Sequence, residues 1–297
     1  IIEKSSSRFL LELFSKVDDL TDRDLVYYDN AMDMETCFDK YSFQEHKWHQ
    51  TPNGDMEWVY MLNRQGYLVD LAIAFYLTKK EKFFEKWKLI VFDFIETNEA
   101  EISHPEASWR VLDAGIRLMN WIKSLTYLPL DKLTEVEKDR IHASMKKHAD
   151  YIRAHLQEKH LLSNWGVLAV SGLLSFVYFD TKELEMSEWA KKTLMQQAAL
   201  QFTPKGIHWE QSPLYHHEVV MCYAYLYQVA ETLDNGDADV WKKILRNPVQ
   251  ATYYLSNSKQ ELLSLNDSDV VDFSWVQSYY HLLGFDSVCT DYETGLI

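Results

Sequence analysis

From Asp55 to Leu283 apolar residues return every three or four positions, one segment after another, and convincing runs of strict alternation are missing. A recurrence near 3.6 buries one face of a helix, whereas a half-buried strand needs a period of two. The spacing predicts one helical stripe through Trp58, Met61, Leu62, Leu68, Val69, Ala72 and Tyr76. A second runs through Phe83, Phe84, Trp87, Ile90, Val91 and Phe94, and a third through Trp109, Leu112, Ile116, Met119 and Ile122. Thr78-Lys-Lys-Glu81 and Thr134-Glu-Val-Glu137 have the form of capping boxes, the latter opening a long helix to about His155. Ser163 to Phe179 is apolar all round, as an inner helix is. Further helical patterns cover 187–201, 216–233, 239–255 and 273–283, and a short amphipathic one at the start carries Phe9, Leu10, Leu13 and Phe14. Residues 18–50 and 104–108 read as loops, the former a long strap. Only 9 Gly and 6 Pro in 297 residues disfavour a turn-rich all-β chain. The expectation is an all-α fold of paired helices in a ring or arc, with a cleft at their inner ends.

A formal net charge of −15 argues against general nucleic-acid binding, which needs a basic face. Cys37, Cys222 and Cys289 are odd in number and widely spaced, giving neither a disulfide framework nor a zinc pattern. The longest apolar run, Gly166 to Phe179, is shorter than the ~20 residues that span a bilayer, so no membrane span and a soluble protein are expected. The chain starts at Ile1 without a methionine or signal peptide, as a mature or trimmed product would, and gives no direct reading of compartment.

The densest chemistry lies in Pro204-Lys-Gly-Ile-His-Trp-Glu-Gln-Ser-Pro-Leu-Tyr-His-His-Glu218. Pro213 holds Ser212 extended and suits the first position of a helix. Tyr215, His216 and Glu218 then lie near a helix N-terminus, where the macrodipole favours negative charge. A buried polar knot that pins a long loop is the plain alternative. Ser163-Asn164 precedes the apolar helix; either residue caps it, or the Asn164 amide meets a ligand carboxylate. Trp58 and Arg64, after the Asn53-Gly54 turn, either line a sugar groove or belong to a capped helix. Arg110, Asp113 and Arg117 are spaced for ion pairs within a helix, unless an arginine forks onto a carboxylate or sulfate. Leu265-Asn-Asp-Ser-Asp269 reads by default as a turn, and otherwise as an Asp pair for glycoside hydrolysis or metal binding. His46-x-x-His49 and His216-His217 lack the spacing of a helical zinc site, so neither metal nor other cofactor is expected.

Taken together, Thr51-Pro-Asn-Gly-Asp-Met-Glu-Trp-Val-Tyr-Met-Leu-Asn-Arg64, Trp109-Arg-Val-Leu-Asp-Ala-Gly-Ile-Arg117, Ser163-Asn-Trp-Gly166, Gly206-Ile-His-Trp-Glu-Gln-Ser-Pro-Leu-Tyr-His-His217 and Asn266-Asp-Ser-Asp269 resemble the helical N-terminal domain of heparinase II/III-type polysaccharide lyases, particularly the heparinase III branch. The likeness implies an incomplete (α/α) toroid, formed by residues 51–297, with residues 1–50 as an N-terminal helix and strap packed on it. The likeness further implies the family's C-terminal β-sandwich domain, expected to be absent from this chain, as a partner within the same polypeptide. That domain usually supplies the catalytic histidine, so the fragment alone is expected to be inactive.

The implied reaction is β-elimination on a uronic-acid-containing glycosaminoglycan, heparan-sulfate-like, in the periplasm or outside the cell. By the match, Asn164 would neutralise the uronate carboxylate and Tyr215 would take the C5 proton, protonate O4, or both. As a base Tyr215 would need a cation or a helix N-terminus to lower its titration. Trp58, Arg64, His104, Arg110, Arg117, His208, Trp209, Glu210 and His216 are expected to hold substrate or assist. The net charge of −15 suits a sparsely sulfated chain. Two rivals remain: an (α/α)-barrel glycoside hydrolase using Asp267 and Asp269 or Glu210 and Glu218, and a non-catalytic glycan-binding module. Facing carboxyls ~5–10 Å apart would mark the first; affinity without turnover would mark the second.

Overall fold

A computed structural model describes residues 7–26, 40–43, 48–98, 104–180 and 182–285. Cys37, His46 and Cys289 lie outside these, as does part of the expected strap. The described elements run α1 (Ser7–Asp22), β1 (Leu25–Val26), β2 (Tyr41–Ser42), α2 (Met56–Arg64), α3 (Tyr67–Thr78), α4 (Glu81–Asn98), α5 (Pro105–Ser108), α6 (Val111–Leu125), α7 (Glu135–His155), α8 (Asn164–Phe179), α9 (Leu184–Gln201), α10 (Pro213–Thr232), α11 (Asp237–Tyr254) and α12 (Ser274–Leu282). The all-α expectation holds for them; β1 and β2 form one short antiparallel pair, Leu25 opposite Ser42. No described helix is long and apolar enough to cross a membrane.

The chain divides into two compact units, residues 1–156 with 169–187, and residues 157–168 with 188–297. In the first, α1 packs on α3 and α4, and α6 packs on α2, α3 and α7. Indole N–H groups in its core find acceptors: Trp87 bonds Ser124 Oγ at 2.9 Å, Trp109 bonds the Asn98 carbonyl at 3.2 Å, and Trp121 bonds Gln65 Oε1 at 2.6 Å. In the second unit α10 packs lengthwise on α11.

Local differences from the sequence reading have physical causes. The single stripe from Trp58 to Tyr76 is two helices, because Gln65 turns left-handed at φ 55°. The break resets the helical phase, so Leu71 and Phe75 are buried while Tyr76 is exposed. Thr78 ends α3 rather than opening α4: its hydroxyl donates to the Ala74 carbonyl at 2.7 Å. The first helix continues to Asp22, and β1, β2 and α5 fall where loops were expected. Thr134 and Glu137 form the expected reciprocal capping box, and residues 166–178 of the apolar helix are all buried.

Candidate active site

The second unit gathers the chemistry. Its framework is a tight hairpin between α9 and α10. Phe202 bridges His208, Thr203 N–H donates to the Ile207 carbonyl at 2.9 Å, and Gly206 makes the turn at φ +86°. Gly206 lies against the α11 backbone; a Cβ there would stand 2.3 Å from the Asn247 carbonyl carbon. Gln201, at the end of α9, fastens three pieces. Its Nε2 donates to the Leu161 and Ser163 carbonyls at 2.8 and 3.1 Å, and its Oε1 faces His208 Nε2 at 2.9 Å. Since the amide oxygen only accepts, His208 carries its proton on Nε2.

His208 and His216 are fully buried parts of this scaffold, a correction to their expected place at the substrate. His216 Nδ1 accepts the His208 backbone N–H at 3.2 Å, leaving Nε2–H to face the Pro248 carbonyl at 3.1 Å and Thr252 Oγ1 at 3.0 Å. Burial holds both neutral, pulling His208 down to about 4 and His216 to about 3, and it brings His217 to about 4.

On this scaffold sit the N-termini of α8 and α10. Ser163 caps α8, its Oγ accepting the Trp165 N–H at 3.2 Å. Gly166 in the next position but two is required by space, since a Cβ would meet the His160 carbonyl oxygen at 1.9 Å. Asn164, buried, is gripped on both sides by acids. Its backbone N–H donates to Glu210 Oε1 at 3.1 Å and its Nδ2 to Glu218 Oε2 at 3.1 Å. Its Oδ1 accepts the Trp165 N–H at 2.9 Å, so the carboxamide orientation is dictated by donors and acceptors. One Nδ2 hydrogen remains for another acceptor.

Ser212 caps α10 by accepting the Tyr215 N–H at 3.2 Å, behind Pro213 in the first helical position. The Tyr215 hydroxyl donates to Asp267 Oδ2. Burial pushes the phenol well above its ordinary range, and the bond to Asp267 with the charges of Glu218 and Glu210 pushes the same way. Among the described residues no cation lowers it, and the other alternative, a helix N-terminus, is present in the first turn of α10 without reversing the upward shift. Burial also raises Glu210, helped by Asp267, although the Asn164 N–H opposes this. Asn164, Tyr215, Glu210, Glu218 and Asp267 therefore share one locus. Beside it Trp209, 47% exposed, is pinned by its indole N–H on the Leu162 carbonyl at 2.7 Å, and Trp165 is 38% exposed.

The other expected residues belong to the first unit. Trp58 and Arg117 are corrections: both are completely buried. Trp58 packs edge-on against Tyr41 at 5.4 Å. The Arg117 guanidinium lies 4.4 Å from the Phe94 ring centre and 4.9 Å from that of Trp109. It donates to the Asn63 and Ser108 carbonyls and to His148 Nε2, the last at 2.8 Å. Arg64 and Arg110 converge on the buried Asp113 carboxylate at 2.9 and 2.6 Å, and Arg110 also lies 3.1 Å over the Tyr60 ring. His104 is half-exposed and stacks on His49 at 4.0 Å, with Glu106 3.4 Å from its Nδ1. Among the described residues no group of three His, Cys, Asp or Glu side chains could hold a metal ion. Sequence reasoning missed the anchoring part of Gln201 and the acid grip on Asn164. The i,i+4 pair Gln197 and Gln201 on an otherwise amphipathic helix was the available signal.

A family model described as Heparinase II/III N-terminus matches residues 8–286. The chain belongs to this family. Among solved structures it is similar to the heparan sulfate lyase HepC from Pedobacter heparinus, with 17% identity and a TM-score of 0.70 over 96% of this chain and 44% of that one. A crystal structure of heparinase III aligns at 17% identity and a TM-score of 0.71, covering 92% of this chain and 44% of the other. At this identity the likeness shows the fold, the helical architecture of the heparinase II/III N-terminus, in a chain spanning under half the length of these relatives. A search of curated proteins finds no match.

Proposed function

We propose that this heparinase II/III domain forms one wall of the active site of a polysaccharide lyase that cleaves a heparan-sulfate-like glycosaminoglycan by β-elimination. The observation that carries this reading is the placement of Asn164 and Tyr215, in the first turns of two helices, around neighbouring carboxyl groups: Asn164 donates to Glu210 and Glu218, Tyr215 donates to Asp267, and the charges of Glu210 and Glu218 reach the phenol. The C5 proton of a uronate is weakly acidic because the adjacent carboxylate resists further negative charge. A hydrogen-bond donor on that carboxylate lets charge build there as the proton leaves. The unclaimed Nδ2 hydrogen of Asn164, beside a helix N-terminus, is such a donor. Tyr215 stands ready to move the proton between C5 and O4. Trp209 offers an exposed ring face for a sugar.

The family's β domain, as a partner region of the same polypeptide, would supply the histidine and close the site. Placement in the periplasm or outside the cell fits a polymeric substrate. Glu210 and Glu218 also meet at Asn164, as a hydrolase would require of an acid pair, but both are committed to Asn164 donors. The test is incubation of the full-length polypeptide with heparan sulfate while following the ultraviolet absorbance of a 4,5-unsaturated uronate. Elimination creates that chromophore and hydrolysis does not. Loss of one oxyanion-type donor in Asn164→Ala should lower kcat about 10²–10³-fold. Saturated products, or unchanged turnover in that variant, would reject the reading.

A further inference from the structure

The Tyr215 hydroxyl points at a carboxylate rather than at a cation, and the contact is built rather than incidental. The 266–268 turn is fastened to the first turn of α10 by three bonds that leave the Asp267 carboxylate out. Ser212 Oγ donates to the Asp267 carbonyl at 2.8 Å, Leu214 N–H donates to Ser268 Oγ at 3.1 Å, and Asn266 Nδ2 donates to the Gln211 carbonyl at 2.9 Å. Asn266 and Gln211, both left-handed with φ 52° and 58°, shape the two backbones that meet there. Docking therefore uses the backbone and the Ser212, Ser268 and Asn266 side chains, and the carboxylate is left to hold the phenol proton. Glu218 on α10 and Glu210 on the hairpin add charge of the same sign around Tyr215.

Resting on the lyase reading, we propose that Asp267 is the proton partner of Tyr215. As the Tyr215 oxygen takes the C5 proton, its own hydroxyl proton passes to Asp267, and the transfer reverses when Tyr215 protonates O4. The C5–H electron pair becomes the C4–C5 double bond, and the C4–O4 pair leaves on O4. The proton removed from C5 is balanced by the proton delivered to O4, and Asp267 ends as the carboxylate it began as. The relay answers the main difficulty of a tyrosine base here. A phenol among three carboxyl groups does not ionise near neutral pH, and with an acceptor in place it need not. Asp267 acts through Tyr215 and touches no reacting atom, so it is a positioning and proton-holding residue.

The experiment compares Asp267→Asn with Ser268→Ala in the full-length enzyme. Asn accepts the same hydrogen bond and cannot take the proton. Expected for Asp267→Asn are a kcat about 10²-fold lower, KM little changed, and residual activity that climbs with pH as Tyr215 is forced to ionise. With the Asp267 charge gone, an NMR titration of ring-labelled Tyr215 should show ionisation at lower pH than in the wild type. Ser268→Ala, which removes one of the three docking bonds and keeps the other two and the carboxylate, should show neither the kcat loss nor the pH effect. Wild-type kcat and pH profile in Asp267→Asn would overturn the proposal, as would the same losses in both variants. Full turnover in Tyr215→Phe would instead sink the underlying role of the tyrosine.

Discussion

Gly206→Ala tests how the hairpin that carries Trp209 and Glu210 is held. Two costs can be worked from the structure. Gly206 sits at φ +86°, a left-handed conformation that an L side chain adopts at a cost of about 1–2 kcal/mol. The added Cβ would lie 2.3 Å from the Asn247 carbonyl carbon, 2.4 Å from its oxygen and 2.5 Å from Pro248 N. All three are backbone atoms of α11 and cannot rotate away. Reaching ordinary contact requires the hairpin and helix to part by about 1 Å, and overpacking of this kind costs about 1–3 kcal/mol. The sum is a destabilisation of about 2–5 kcal/mol, read in urea unfolding followed by tryptophan fluorescence. Gly236→Ala is the control: φ is −57° and nothing lies within 4 Å of the new Cβ, so a change within about 0.5 kcal/mol is expected. If Gly206→Ala matched that control, the hairpin would not be seated on α11 as described.

Two further outcomes follow from the same unit. His208, His216 and His217 are held neutral, with folded values of about 4, 3 and 4 against 6.5 in an unfolded chain. The unfolded state then binds more protons, so their stabilisation is complete above pH 6.5 and is lost as pH falls toward 4. Three such groups give a slope of up to about 4 kcal/mol per pH unit. Urea midpoints from pH 7 to 5 should fall steeply, and a flat profile would show that these rings protonate inside the fold. Trp209→Ala removes a half-exposed ring that itself moves no proton, so KM should rise with kcat nearly unchanged. An equal loss in kcat would place Trp209 in the transition state.

Helix content was legible because a 3.6-residue period is local information. Thr134 and Glu137 cap the helix they were expected to cap, and the all-apolar run after Asn164 is the buried helix it resembled. The break at Gln65 was not legible, since Gln is an unusual residue for a left-handed position and is held there in part by Trp121, distant in sequence. The site was legible as a list of residues rather than as an arrangement. Polar density picked out residues 204–218, yet the buried histidines proved to be scaffold. Trp58 and Arg117 misled because an aromatic or an arginine on a helix reads the same whether it faces a ligand or a core. The acid grip on Asn164 joins positions 46 and 54 residues apart, and no local pattern announces it.

Whether Asn164 and Tyr215 serve one reaction is decided by a double-mutant cycle in the full-length enzyme. Initial rates of unsaturated-uronate formation on heparan sulfate would be compared for the wild type, Asn164→Ala, Tyr215→Phe and the pair. Groups acting in one transition state are strongly non-additive, so the double variant should be scarcely slower than the slower single one. Undiminished formation of the unsaturated product by the double variant would contradict the account.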